Sequence, residues 1–398
     1  MNFRLIVAEA NKTGAEHATF NCAALQTLFR NAKQHGCHLE WYSDSAQRQS
    51  VISVGDQDLV EIDWHPIFVE PGLNRAFIKK FLCELTITIR LLLRARRERA
   101  SIVFLSVFPN VLPFIFLVRR AFRHVPVHII LHGELESLLI PEKQAISREG
   151  FWVQLALLRI FGGSWPTLYV LGSGIRTRLL KHFQNATALR RIIAIEHPYP
   201  FSDISPHTRH DGQTRRIGFV GVGRRIKGVL DFFKLAQSFS THIEGGELEF
   251  VLVGGLERSI PLDGTEFVRV LASHGAGLLK QDYERFISEL DCAIFLSKEN
   301  YTLTASGSVF DVINAGVEIL ALSSDYLTDI SQHDVEGGIK FYSSLEALES
   351  ELHHRIKNGW PNRTLRYPAI RKAHAPESLD SLIFRVFSSA NRTPDRQN

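Results

Sequence analysis

The stretch RRIGFVGVGRRIKGVLDFF, residues 215–233, decides the fold of the second half of the chain. Its apolar run IGFV is typical of a buried strand and ends at a glycine pair, Gly221 and Gly223. Apolar residues at helical spacing begin near Val229, so the stretch predicts a strand, a glycine turn and a helix, the first part of a βαβ unit. Three cations stand between the turn and the helix: Arg224, Arg225 and Lys227.

This glycine turn lacks a dinucleotide-binding fingerprint. The G-x-G-x-x-G pattern needs a third glycine where Ile226 stands, and the next strand, LEFVLVGG, ends in glycines rather than in an acidic residue. Backbone amides and cations at a helix N-terminus instead favour a phosphate or a diphosphate. The alternative is a tight strand-to-helix connection whose arginines are solvated.

A second stretch of the same half, residues 290–322, predicts another anion site. The strand CAIFLS is followed by a polar loop with Glu299 and Tyr301, and a helix, SVFDVINAG, then ends at Gly316. Small residues at the start of that helix let a ligand approach the backbone, and the helix dipole favours an anion there. The alternative is an ordinary serine N-cap. The expected amide donors belong to Ser306, Gly307, Ser308 and Val309.

Together the two stretches resemble the nucleotide-sugar-binding domain of GT-B-fold glycosyltransferases, in particular the large retaining family (glycosyl transferases group 1) that builds bacterial surface polysaccharides. The resemblance covers residues 217–322. It implies that Arg224 or Arg225, with Lys227, holds the donor diphosphate next to Gly221 and Gly223.

The resemblance also implies roles for carboxylates. That family places two glutamates eight positions apart, but eight positions after Glu299 the sequence has Gly307. Asp311 would then replace the second glutamate and bind the donor ribose, while Glu299 contacts the sugar and Tyr301 lies in the donor loop. The alternative for Glu299 is a surface-loop carboxylate. Because no Asp-x-Asp ends a strand convincingly, we expect no metal and no cofactor.

The organisation of the whole chain fits this resemblance. A length of 398 residues suggests two domains, and strand-type runs alternate with helical patterns on both sides of a polar segment, residues 197–215. We expect an α/β protein with two Rossmann-like domains (GT-B) that face each other across a central cleft. Residues 1–200 would bind the acceptor and residues 215–365 the donor. Residues 366–398 would form a C-terminal helix that packs toward the N-terminal domain, with a frayed tail.

Acceptor-side candidates lie in the first half. His132 and Glu134 follow the strand VHIIL, and Gly14 and His17 lie in the first predicted strand-to-helix loop. If configuration is retained, His132 would line the reacting centre; if it is inverted, Glu134 or His132 would be the general base. The alternatives are a structural histidine and residues that only cap the first helix.

Charge is distributed unevenly along the chain. Residues 1–200 carry 24 Lys and Arg against 16 Asp and Glu, and much of the excess lies in residues 74–100, where apolar residues also recur at helical spacing. Such a segment suits an anionic membrane surface, although a core helix with a solvated basic face is the alternative. Its cations are Arg75, Lys79, Lys80, Arg90, Arg94, Arg96, Arg97 and Arg99.

No membrane-spanning segment is expected. The most apolar run, residues 101–122, contains Pro109 and Pro113, which favour a strand, a turn and a short helix instead. Four scattered cysteines without a C-x-x-C pair indicate neither a zinc site nor a disulfide framework. We therefore expect a cytoplasmic protein, with the inner face of the cell membrane as its second possible location.

The sequence thus predicts a metal-independent glycosyltransferase of hexosyltransferase type. It would move a sugar from a nucleotide-diphosphate sugar to a glycan or a lipid-linked glycan, with no nucleic-acid partner. Two alternatives remain open: a catalytically inactive nucleotide-sugar-binding or assembly protein at the membrane, with which the altered carboxylate spacing is compatible, and a sugar-phosphate epimerase on the same fold, which would need a catalytic carboxylate set that the sequence does not identify. The base, the sugar, the acceptor and the stereochemistry are not determined by the sequence.

Overall fold

The computed structural model describes residues 3–55, 57–70, 77–139, 152–160, 165–202, 214–261, 264–272, 274, 277–297, 303–361 and 365–390. The chain divides into two compact units by its internal contacts. Unit 1 comprises Met1–Pro200, Leu303–Ala305 and His374–Asn398, and unit 2 comprises Phe201–Thr302 and Ser306–Ala373.

The described part of unit 1 contains a seven-stranded parallel sheet in the order β3-β2-β1-β4-β5-β6-β7. Strands β4 and β5 are buried at every position, as expected for parallel strands covered on both faces. The strands are β1 (Arg4–Glu9), β2 (His38–Ser43), β3 (Asp63–Pro66), β4 (Ser101–Ser106), β5 (Val127–Leu131), β6 (Thr167–Leu171) and β7 (Ile193–Ile195).

Helices connect these strands. The proline that excluded a spanning segment lies in the first turn of α4, where its missing N–H costs no hydrogen bond. The α-helices of unit 1 are α1 (Ala18–Gln34), α2 (Ser45–Val54), α3 (Phe77–Glu98), α4 (Leu112–Leu117), α5 (Arg119–Phe122), α6 (Ser173–His182) and, near the C-terminus, α14 (Asp380–Ala390). Single 3-10 segments span Gln57–Glu61, Gly133–Leu139, Thr187–Arg191 and Pro376–Leu379, and a π-helix spans Leu155–Ile160.

Unit 2 repeats the architecture. Its described residues form a six-stranded parallel sheet in the order β10-β9-β8-β11-β12-β13. The strands are β8 (Arg215–Val220), β9 (Leu248–Val253), β10 (Val268–Val270), β11 (Cys292–Phe295), β12 (Glu318–Leu322) and β13 (Ile339–Tyr342). The α-helices are α7 (Val229–Ser238), α8 (Ser240–Glu244), α9 (Lys280–Ser288), α10 (Gly307–Asn314), α11 (Asp325–Ser331), α12 (Leu345–Asn358) and α13 (Pro368–Ala373), and Arg225–Lys227 is a 3-10 turn.

Each unit has its own hydrophobic core. In unit 1, Leu382 and Val386 of α14 are buried in the same cluster as Leu5, Val7 and Trp41, so the C-terminal helix completes the core of this unit. In unit 2, the aromatic rings of α7 pack against the sheet in a second cluster that contains Phe219, Phe232 and Phe250.

The strand order of each sheet reverses direction at one point, between β1 and β4 in unit 1 and between β8 and β11 in unit 2. Loops that follow strands at such a reversal form the crevice in which open α/β sheets bind ligands. The α/β prediction with two Rossmann-like sheets is confirmed. Within the described residues, no helix is long and apolar enough to cross a bilayer.

Candidate functional site

The glycine turn after β8 lies very close to the loop that follows β9. The Gly221 amide donates to the Val253 carbonyl at 2.9 Å, and Gly221 has a φ of +95°. Gly254 has a φ of +146°, and a Cβ there would lie 2.3 Å from the Gly221 carbonyl oxygen. Since no side chain fits at that distance, the two loops can meet only through glycine backbone.

Lys227 and the start of α10 meet at this turn. A Cβ on Gly221 would lie 3.3 Å from the Ser308 hydroxyl oxygen and 3.7 Å from the Lys227 ammonium nitrogen. The turn is held in place by Gly228, which has a φ of +81° and lies so close to the Leu296 carbonyl that a Cβ would be 2.3 Å from it. A cation and a helix N-terminus, predicted from separate stretches, therefore lie beside the same glycine.

The residues at the N-terminus of α10 are suited to bind an anion. Ser306 occupies the N-cap position without a side-chain hydrogen bond to the helix, and the first turn contains no acidic residue. The Ser306 and Ser308 hydroxyls lie 2.9 Å apart, and the side chain of Val309 is buried. Gly307 is exposed, with no atom within 4 Å of the position of a Cβ, so a ligand can approach its backbone.

The remaining predicted cations differ from Lys227 in position. Lys227 is half-buried, whereas Arg224 and Arg225 are exposed side chains at the start of the 3-10 turn. Gly223, which precedes them, has its amide bound to the Gly255 carbonyl at 2.9 Å and so belongs to the loop-to-loop contact. Of the three predicted cations, Lys227 combines partial burial with an ammonium group beside Gly221 and Ser308.

Asp311 is paired with a residue that the sequence did not assign to it. The Tyr283 hydroxyl, from α9, donates to an Asp311 carboxylate oxygen at 2.9 Å. Burial, together with the Asp311 charge, raises the pKa of Tyr283 well above its ordinary value, so the phenol stays protonated and keeps donating. Tyr283 lies in α9, 28 residues before Asp311 in the sequence, so only the fold reveals the pair. Glu299 and Tyr301 lie outside the described residues.

In unit 1, His132 and Glu134 are buried just after β5. The Nε2 nitrogen of His132 donates to the Leu105 carbonyl at 2.8 Å, which leaves the lone pair of the neutral ring on Nδ1. Burial lowers the pKa of His132 to about 3 and raises the pKa of Glu134 to about 7. The Glu134 carboxylate accepts a hydrogen bond from the His132 backbone amide. The pair thus combines a neutral imidazole with a carboxyl group that titrates near neutrality.

His17 lies against His132. The two rings are stacked with centroids 4.4 Å apart, and Phe20 meets His132 edge-on at the same centroid distance. His17 has a φ of 59° at the N-cap of α1, and burial lowers its pKa well below the ordinary value. Gly14, with a φ of +60°, has open space at the position of a Cβ. The structure therefore brings His17 and His132 together at one edge of the sheet.

Buried polar residues hold the first strand-to-helix loop. The Glu9 carboxylate accepts from the backbone amide of Lys12 at 3.0 Å and from the Asn21 side chain at 3.1 Å. The Lys80 ammonium, from α3, donates to the Asn11 carbonyl at 3.0 Å. His197, which the sequence did not single out, is also buried and lies edge-on to Phe20 at 5.4 Å. Glu9 and Lys80 are positioning residues for the loop that carries Gly14 and His17.

Comparisons with solved structures identify the fold. No protein-family model matches the chain, and no curated protein matches it. Solved structures do match. HepE from Anabaena, in complex with UDP and glucose, has a TM-score of 0.61 at 12% identity over 98% of this chain and 100% of that one. Sucrose-phosphate synthase from Thermosynechococcus elongatus has a TM-score of 0.64 at 12% identity, with the same coverage of both chains.

A third match is WaaG, a glycosyltransferase involved in lipopolysaccharide biosynthesis, with a TM-score of 0.56 at 13% identity over 98% of each chain. These similar structures are GT-B glycosyltransferases, and the predicted fold class is confirmed: this chain has the GT-B fold. At such identities the likeness establishes the fold, and the function has to be argued from the site.

Proposed function

We propose that this protein is a glycosyltransferase that moves a sugar from a nucleotide-diphosphate sugar to a glycan or lipid-linked glycan acceptor in surface-polysaccharide synthesis. The observation that carries the proposal is the meeting of Lys227 and the α10 N-terminus at Gly221. Structures of similar fold support it, because HepE was determined with UDP-glucose, and WaaB is a lipopolysaccharide outer core galactosyltransferase.

The donor half of the reaction needs stabilisation of a leaving diphosphate. Negative charge develops on that group as the glycosidic bond to phosphate breaks, and a fixed cation and oriented backbone amides stabilise it. Lys227 and the amides at the start of α10 would supply both. We assign the donor ribose to Asp311, oriented by Tyr283, and contacts with the sugar to Glu299. In this proposal the side-chain cations act in place of a metal.

The acceptor half would be served by unit 1. A general base works best when its pKa lies near the operating pH, and the pKa of about 7 for Glu134 meets this condition. If the configuration is inverted, Glu134 would take the proton of the acceptor hydroxyl. If it is retained, His132 would line the reacting centre as a neutral ring, with His17 stacked on it and Gly14 bordering the acceptor.

A ligand panel tests the proposed function. We expect one of UDP-glucose, GDP-mannose or dTDP-glucose to raise the melting temperature, because a ligand that binds only the folded state stabilises it. Incubation of the stabilising donor with lysate glycolipids should then give a product heavier by one sugar in mass spectrometry. Binding without transfer would favour the inactive relative, and no stabilisation by any nucleotide sugar would contradict both proposals.

The membrane part of the proposal rests on the outward face of α3. Three large apolar side chains on this helix are strongly exposed: Ile78 at 71%, Leu82 at 53% and Leu93 at 52%. With Ile89, also exposed, they are spaced by four, seven and four residues, and so they form one stripe along the helix. Exposed cations accompany the stripe: Lys79, Arg90, Arg96 and Arg97.

Among the described cations of the predicted basic segment, two are not on this face, and Arg75 lies outside the described residues. Lys80 is buried under the first loop, and Arg94 binds the buried Glu40 carboxylate at 2.8 Å. Neither glutamate of α3 is exposed, since Glu84 is buried and Glu98 pairs with Arg94 and Arg97. A second copy of the chain docked on the stripe would bring like charges together, whereas an anionic bilayer would complement them.

Charge reversal on α3 tests this surface. Arg90→Glu/Arg96→Glu/Arg97→Glu is expected to weaken binding to phosphatidylglycerol vesicles by about 100-fold at low salt, because each basic residue near such a surface contributes about 1 kcal/mol. Co-sedimentation measures the partition. The matched control, Lys234→Glu/Arg258→Glu/Lys357→Glu, reverses exposed cations of unit 2 and should bind like wild type. The membrane face would be rejected if both triple variants bound the vesicles equally. It would also be rejected if the wild type were a dimer and the α3 variant a monomer.

A further inference from the structure

A cavity of about 600 Å³ lies at the amino ends of β6 and β7 in unit 1. This is the sheet edge opposite to the one where His132 follows β5. None of the described residues that line it is acidic. The lining residues are four arginines, Arg176, Arg190, Arg191 and Arg385, and six uncharged residues, Pro166, Thr167, Leu168, Ile192, Ile193 and Ala194.

The arginines come from three separate elements. Arg176 lies on α6, Arg190 and Arg191 end the 3-10 segment Thr187–Arg191, and Arg385 lies on α14. The Arg176 guanidinium is fixed by the backbone, since its Nε donates to the Ile192 carbonyl at 2.8 Å and its Nη2 to the Arg190 carbonyl at 2.9 Å. One wall of the cavity is therefore a guanidinium held in a defined orientation, with the exposed Arg190 and Arg191 beside it.

The Arg385 charge also acts on a histidine of the sheet, which it helps to keep uncharged. His128, on β5, hydrogen-bonds to the Tyr169 hydroxyl at 3.0 Å, and burial together with the Arg385 charge lowers the pKa of His128 to about 4. Several guanidinium groups around one cavity favour an anion between them, because opposite charges attract at this range. Their planar forks match the oxygens of a phosphate group, which can accept two hydrogen bonds from one arginine.

A second cavity of about 480 Å³ adjoins the first and shares Arg176 and Arg190 with it. Its other walls are Leu180, Phe183, Gln184 and Ala186, so this part is mainly apolar and includes an aromatic ring. A ligand with a phosphate group at one end and an apolar portion at the other would fit this division. Both volumes lie within the range of small-molecule sites.

We propose that these adjoining cavities form a second anion site, which binds the phosphate group of an amphiphilic phosphomonoester through Arg176, Arg190, Arg191 and Arg385. The apolar portion lies against Leu180 and Phe183. The site belongs to unit 1 and shares no residue with the donor site at Gly221, so it does not depend on the proposed transfer reaction. The phosphate comes from a free phosphorylated metabolite or from a lipid headgroup, and the experiment separates these two sources.

The free-anion arm uses inorganic pyrophosphate in isothermal titration calorimetry. The starting protein is Lys227→Ala, in which the proposed phosphate site of unit 2 is expected to bind more weakly. Adding Arg190→Ala/Arg191→Ala is expected to weaken the remaining pyrophosphate binding by about 100-fold, because each of the two lost charge-assisted hydrogen bonds is worth about 1.5 kcal/mol. The control adds Arg123→Ala/Lys181→Ala, two exposed cations of unit 1 that do not line either cavity, and should leave the affinity unchanged.

The lipid arm compares vesicles of phosphatidic acid with phosphatidylglycerol vesicles of equal charge density. Equal charge cancels the contribution of α3, so a preference for phosphatidic acid reports the phosphomonoester. If Arg190→Ala/Arg191→Ala removes the preference for phosphatidic acid, the site binds a lipid headgroup. If the variant loses pyrophosphate binding alone, the site binds a free phosphate. If the variant changes neither the pyrophosphate affinity nor the vesicle preference, the site does not exist. A failed nucleotide-sugar panel would leave these results unaffected.

Discussion

Lys227→Ala is expected to lower the affinity for the nucleotide of the donor by about 100-fold. The Lys227 ammonium lies beside Gly221 and Ser308, where the diphosphate would bind, and a charge-assisted hydrogen bond to phosphate is worth about 1.5–3 kcal/mol. Calorimetric titration with UDP, GDP and dTDP gives the ratio of dissociation constants for whichever nucleotide binds. The loss should shrink as salt is added to the wild type, because screening weakens the same interaction.

Two controls make this result specific. Lys234→Ala removes the same side chain from an exposed position on α7 and should keep the wild-type affinity. Arg224→Ala/Arg225→Ala should cost less than Lys227→Ala, because these arginines are exposed, whereas Lys227 is half-buried beside Gly221 and Ser308. A Lys227→Ala affinity within threefold of wild type would remove the observation on which the proposed function rests. If the double arginine variant lost more affinity than Lys227→Ala, the diphosphate would have to be assigned to the arginine side of the turn.

The sequence was sufficient for much of the fold because the fold depends on local patterns. Runs such as IGFV and FVLV are uncharged and mostly apolar at consecutive positions, which is the pattern of strands buried on both faces, and they lie in β8 and β9. The helix expected near Val229 begins there, because Gly228, with a φ of +81°, ends the preceding 3-10 turn. Pro109, before α4, and Pro113, in its first turn, likewise indicated that residues 101–122 do not form one long apolar helix.

The position of individual cations could not be read in the same way. Lys80 and Arg94 belong to a basic run and would ordinarily be solvated, but Lys80 is buried against the Asn11 carbonyl and Arg94 binds Glu40. Both partners are far away in the sequence, and burial of a charge depends on such partners. The same holds for Tyr283, whose partner Asp311 lies on another helix, and for the arginine cavity, whose arginines come from three elements.

Gly254→Ala is expected to lower the free energy of unfolding of unit 2 by about 4 kcal/mol. A Cβ at this position would lie 2.3 Å from the Gly221 carbonyl oxygen, and a φ of +146° is a conformation that residues with side chains rarely adopt. Relief of the contact has to move the Gly221 backbone, which is tied by its amide to Val253. Differential scanning calorimetry should show the transition of unit 2 lowered by about 10 °C, and nucleotide affinity should fall as well.

Gly246→Ala separates the steric contact from the backbone strain. Gly246 also has a positive φ, of +76°, but no atom lies within 4 Å of the position of its Cβ, so this variant should lose only about 1 kcal/mol. Its nucleotide affinity should stay at the wild-type value, since its backbone does not touch the glycine turn. Equal losses of stability in the two variants would mean that strain alone acts at Gly254. Unchanged nucleotide binding by a folded Gly254→Ala protein would show that the position of the Gly221 backbone does not determine the donor site.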